Sequence, residues 1–232
     1  MRSFTRSEWT FLAIVVVYSF IPAVLALVRI PELLGGPTIV PPNPRAVIDP
    51  VPIILHILAS SFFCLAGAVQ FLPSLRRDHP AVHRGLGRLL AAAGCISALT
   101  GLWMTTSYVF PDALQGPLLY GARVLLSLAM CALIVWAVFA IRVRNVAAHR
   151  AAMLRSYAIG QGASTQTVFF LAAMAIFGAE PLGLSRDVLM VAAWVLNLAV
   201  AEAFIRRAAP RRVSHAAGPQ GHGQFRHTKA EK

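Results

Sequence analysis

Carboxylates are what this chain has least of: nine Asp and Glu in 232 residues. A metal-dependent hydrolase would want acids beside its histidines, and only Asp78 qualifies. Cysteine is nearly as scarce. Cys64, Cys95 and Cys131 all fall inside apolar runs, where a free thiol behaves as a small hydrophobe, so no disulfide framework and no soft-metal site is implied. Charged residues make up 13% of the chain against 57% hydrophobic, which leaves too little polar surface for a water-soluble domain. Aromatics reach only 9% and are not interleaved with the basic residues, so the formal charge of +12 does not indicate nucleic acid.

What the chain does have is long apolar blocks. A bilayer core about 30 Å thick needs about 20 apolar residues per helix. Six such blocks are present, at about 8–30, 52–75, 88–110, 117–141, 152–177 and 187–204. The first is too long for a signal-peptide core and is not followed by an A-x-A site, so it reads as a true span, with Pro22 a kink. The expected fold is an all-α integral membrane protein, a bundle of six transmembrane helices over residues 1–207. The connection "PELLGGPTIVPPNPRAVIDP" reads as irregular and extended. Residues 208–232, basic and rich in polar residues, read as a disordered cytoplasmic tail with solvated His215, His222 and His227.

The basic charge maps to topology. Seventeen of the 21 Lys and Arg lie in the N-terminus, the 2–3 and 4–5 loops and the tail. The opposite side holds only Arg29, Arg45 and Arg186, against Glu32, Asp49, Asp112, Glu180 and Asp187. That asymmetry places both termini in the cytoplasm. The expected partners are the bilayer and its anionic headgroups, with a redox partner or an oligomer in reserve and no nucleic acid.

Helical spacing then sorts faces. In span 3, Gly87, Ala91, Gly94, Ala98, Gly101 and Thr105 share one side, and such small residues let helices approach closely in lipid. In span 5, nine of the twelve residues from Ser156 to Thr167 are polar, Tyr or Gly. A segment that polar faces protein or water, which puts it at the bundle centre. In span 2, His56, Ser60, Phe63, Gly67 and Gln70 form a stripe.

Ionisable residues inside spans are functional candidates. His56 and Arg123 lie a few residues in from the outer ends of spans 2 and 4 and define an outer polar site, with Arg123 facing an anion. The inner turn "RRDHPAVHRGLGR" carries two histidines and four arginines. Asp78 or His79 would cap the next helix, with Pro80 in its first turn. His83 falls on the small-residue face, while Arg84 and Arg88 form a second face suited to phosphates. The other inner turn, "RVRNVAAHRAAMLRSY", repeats this pattern: Asn145 is the N-cap, His149 shares a face with Met153, Ser156, Gly160, Ser164 and Thr167, and Arg150 and Arg155 flank it. About nineteen residues at about 1.5 Å each put His56 roughly 28 Å from the inner end of its span. One haem cannot use all three histidines, and two complete haem sites lack ligands. His83 with His149, or with His79, could form one inner bis-imidazole site for haem b, the arginines pairing with its propionates.

The stretch "LHILASSFFCLAGAVQFLPSLRRDHPAVHRGLGRLL" resembles the domain-of-unknown-function 2306 family of predicted bacterial membrane proteins. The resembling residues are His56, Gly67, Arg76, Pro80, His83, Arg84, Gly87 and Arg88, then His149, Arg150, Met153, Arg155, Ser156, Tyr157 and Ala158. The likeness runs from about His56 to Phe170. It departs at Ala152, where the family usually has Trp, and at "STQTV", where it usually has Arg. The resemblance implies the multi-span topology and singles out the same histidines and arginines; it implies no particular activity. Three readings stay open: a haem-binding or redox-linked protein, a small-solute or proton transporter lined by the polar face of span 5 with His56 and Arg123, and a non-catalytic membrane assembly protein.

Overall fold

The computed structural model describes residues 4–39 and 44–208; the tail expected from 208 onward lies beyond them, apart from its first residue. Among the described residues the structure is helical throughout, without strands: α1 (Arg6–Leu33), α2 (Pro44–Ile48), α3 (Pro50–Gly67), a 3-10 turn (Ala68–Phe71), α4 (Pro73–Asp78), α5 (Pro80–Ser107), α6 (Pro117–Arg142), α7 (Val146–Gly160), α8 (Gly162–Phe177) and α9 (Leu184–Ala208). Six segments are long and apolar enough to cross a membrane, α3 with its 3-10 turn and α7 with α8 each counting as one.

Helix starts follow local chemistry. Thr5 caps α1 through a capping box with Glu8. The Glu8 carboxylate also accepts from Ser74 N at 2.8 Å and Ser74 Oγ at 2.7 Å, tying the start of α1 to that of α4. Pro50, Pro73, Pro80 and Pro117 each open a helix, where the missing N–H costs nothing. Asn145 Oδ1 accepts from Ala148 N at 3.0 Å, the expected cap of α7. Gly178 ends α8 at φ 69°, a left-handed position that suits glycine.

Two expected boundaries move. The inner turn before span 3 is not a loop. It is α4 plus the first turns of α5, with only His79 non-helical between them; Asp78 pairs with Arg77 instead of capping. With 28 residues α5 is about 42 Å long, longer than an apolar core of about 30 Å, and its first turns carry the exposed Arg84 and Arg88. The connection expected to be irregular contains α2, whose Ala46 is fully buried and joins Leu33 and Ile57 in a small cluster.

Spans 2, 3 and 5 are central: 39% of the apolar window of each is buried, against 11% for spans 1 and 6. Phe63, Leu90, Ile134 and Tyr157 anchor the main core. The small face of α5 is what admits them. A Cβ on Gly94 would lie 2.6 Å from Ile134 and 2.8 Å from Phe63, so glycine there sets how closely α3, α5 and α6 approach. The polar run of span 5 is buried as expected: Ser156 is at 0%, Ser164 at 3% and Gln166 at 9%.

Candidate functional site

The candidate residues separate into two groups at opposite ends of the bundle. At the end where α1 begins and α9 finishes, His79, Arg84, Arg88 and Arg150 are exposed, and His83 and His149 are half-buried. His149 is within electrostatic reach of His83. His149 Nδ1 lies 2.9 Å from Ala137 O; a carbonyl only accepts, so Nδ1 carries the hydrogen and Nε2 keeps a lone pair. His83 Nδ1 is 2.7 Å from the Gln70 side-chain amide, which donates to it or accepts from it according to which way the amide faces. Arg155 is engaged elsewhere: its Nη2 donates to Glu202 at 2.7 Å and its Nε at 3.1 Å, clasping α7 to α9.

At the other end lies a cavity of about 360 Å³, within the size range of ligand sites. All six spans wall it; Ser19, His56, Ser97, Arg123, Ser164 and Trp194 come one from each. The expected outer pair, His56 and Arg123, is therefore brought to one chamber. His56 Nδ1 is 2.9 Å from Ser97 O and 3.2 Å from Thr100 Oγ1. The carbonyl again fixes the tautomer, leaving the Nε2 lone pair without a described partner. Gly101 passes this ring closely: a Cβ there would meet His56 Cε1 at 3.4 Å.

Arg123 donates to Gln115 Oε1 and stacks over the Phe110 ring, 5.3 Å from its centroid; Arg45 stacks on the same ring at 4.7 Å. Its nearest charges are Arg186, Asp187 and Arg45. Asp187, 2% exposed, is spent on the start of α6, accepting from Gly116 N at 3.2 Å and Leu119 N at 3.1 Å, where a carboxylate offsets the helix dipole.

The chamber abuts a break in span 5. Gln161 separates α7 from α8, and Ile159, Gly160, Ala163 and Ser164 around it line the cavity. Side chains from other spans meet the carbonyls at the break: Asn197 Nδ2 donates to Ala158 O at 3.2 Å, Trp194 Nε1 to Ile159 O at 3.2 Å, and Cys64 Sγ to Gly160 O at 3.3 Å. In an apolar medium an interrupted helix persists only with such substitutes. The Gln161 amide is fully used. Its oxygen accepts from Ser19 and Ser164 at 3.0 and 2.9 Å, and its nitrogen donates to Tyr157 OH at 2.8 Å and Cys64 O at 3.4 Å. The break also ends the expected continuous face from His149 to Thr167.

Several participants escaped the sequence reading. Ser127 stands four residues after Arg123, one helical turn on, and that spacing could have revealed it. Trp194 and Asn197, three apart on α9, gave a weaker hint. Phe110, Gln115 and the capping role of Asp187 had no sequence signal. Among the described residues no group of three or more His, Cys, Asp or Glu could hold a metal ion. A family model described as "Predicted membrane protein (DUF2306)" matches residues 53–205. No curated protein and no solved structure matches the chain.

Proposed function

From the premise that the chain belongs to the DUF2306 family of predicted membrane proteins, we propose that it holds a small polar solute in the chamber between its spans, as the binding site of a small-solute carrier. The carrier sits in the bacterial cytoplasmic membrane with both termini inside, in keeping with the basic residues at the termini end. One observation carries this reading: all six spans contribute to a cavity of about 360 Å³ that His56 and Arg123 line. Ionisable groups are costly at membrane depth, and here two of them face a common space. The interrupted fifth span beside it supports the reading, because broken helices border the binding sites of many secondary transporters.

The haem reading is weaker at the basic end. Bis-imidazole ligation needs two imidazoles free to turn toward one iron, and His83 and His149 are each engaged through Nδ1, by the Gln70 amide and by Ala137 O. Arg155, a propionate partner in that reading, is held by Glu202.

Water access to the chamber is the test. In a background of Cys64→Ser, Cys95→Ala and Cys131→Ala, Ser127→Cys should react with hydroxyethyl methanethiosulfonate in lipid nanodiscs. Leu125→Cys, on the exposed apolar face of α6, should stay unreactive, since a thiol in lipid does not ionise. An inert Ser127→Cys in a well-folded protein would leave the assembly reading standing and remove this one.

A further inference from the structure

Arg123 is a chamber-lining cation whose hydrogen-bond partner is a neutral amide, Gln115. No described carboxylate lies within salt-bridge distance of it; the one acidic side chain near it, Asp187, is occupied with two backbone N–H groups of α6. Arg45 and Arg186 add positive charge around it, and each has a buried Nε without a hydrogen-bond partner. Among the described residues only Arg186 of the three has a carboxylate partner, Glu180 at 2.5 Å. Arg123 on the chamber wall thus sits in the field of two further guanidinium groups, with one ion pair among the three. Buried charge without a counter-charge is costly, and guanidinium forks match planar two-oxygen anions.

Much of the remaining wall is apolar. Ile57, Leu126, Met130, Met190 and Trp194 belong to it, beside hydroxyls such as Ser97 and Ser127. A doubly charged anion would leave a second charge unmet against the apolar side chains. An anion with one charged end and a short hydrocarbon body satisfies both halves.

Resting on the chamber reading above, we infer that the solute is a small monocarboxylate, its carboxylate held by Arg123 and its alkyl body against the apolar wall. Arg45 and Arg186 add long-range attraction for the anion around Arg123 and do not themselves clamp it.

The same Ser127→Cys reporter tests this. Butanoate, butan-1-ol and butylammonium share a body and differ in the charged end. Butanoate should slow labelling saturably, with a half-protecting concentration at least about tenfold below that of the alcohol or the amine, the affinity factor that one charge-assisted hydrogen bond supplies. Arg123→Gln should abolish the protection while Ser127→Cys remains reactive, and Arg123→Lys should retain a weakened protection. If butanol protects as well as butanoate, or if butanoate protects undiminished in Arg123→Gln, the carboxylate assignment is overturned. If Ser127→Cys does not label at all, the chamber reading fails instead, so the two failures are told apart. Should Arg123→Gln not fold, the three-ligand comparison in the unsubstituted arginine background decides alone.

Discussion

Replacing Gly162 with alanine puts the largest demand on the break in span 5. A Cβ there would lie 2.8 Å from Trp194 Cε2 and nearer still to Nε1 and Cδ1 of the same ring. Carbon atoms meet comfortably at about 3.5–4.0 Å, so the indole has to withdraw as a rigid body. Its Nε1–H bond to Ile159 O is already at 3.2 Å and has no slack to follow. Losing it leaves a carbonyl unmet in an apolar setting, at about 1–3 kcal/mol, and overpacking costs a further 1–3 kcal/mol or so. The better helix propensity of alanine returns about 1 kcal/mol. A net destabilisation of about 1–5 kcal/mol is expected, and the steric side wins. Equilibrium unfolding in mixed detergent micelles measures it. Trp194→Phe alone loses the same hydrogen bond, so the double variant should be less destabilised than the sum of the singles by about 1 kcal/mol or more. A neutral or stabilising Gly162→Ala, or strict additivity with Trp194→Phe, would refute this account of the break.

The remaining predictions concern the core and the basic end. Tyr157→Phe removes a hydroxyl that donates to Cys64 O at 2.6 Å and accepts from Gln161 Nε2 at 2.8 Å; it should cost about 1–3 kcal/mol in the same unfolding assay, and a loss well below that would mean water replaces the hydroxyl. Protein purified from haem-replete cells should show no Soret band. A Soret band that His149→Ala removes would place a haem at the basic end.

Much of the architecture was readable along the chain. Each span is announced by its own apolar length, a property of roughly twenty neighbouring residues that needs no partner. The charge asymmetry between the two ends is likewise a count along the sequence. His56 and Arg123 could be singled out because an ionisable side chain amid apolar neighbours is costly whatever it touches. The buried polar run from Ser156 to Thr167 was predictable for the same reason. Spacing also chose the face of α5 that packs, since helical period alone puts Gly94 and Ala98 on one side.

Contacts between spans were another matter. Nothing local says that Trp194 and Asn197 would meet the carbonyls of Ile159 and Ala158, or that Asp187 would cap α6 from sixty-eight residues away. The same holds for His83: its spacing aimed it inward, but nothing local says that the Gln70 amide of another span would meet its Nδ1. That His56 and Arg123 share a chamber, and that Arg123 lacks a carboxylate within it, depends on how α3 and α6 are rotated about their axes. Apolar length therefore determined the number and order of the spans from sequence alone, though not their exact ends, because a bilayer acts on each segment separately. The tertiary structure alone decided the chamber, the bridged break and the uncompensated guanidinium, because those depend on which helix faces meet.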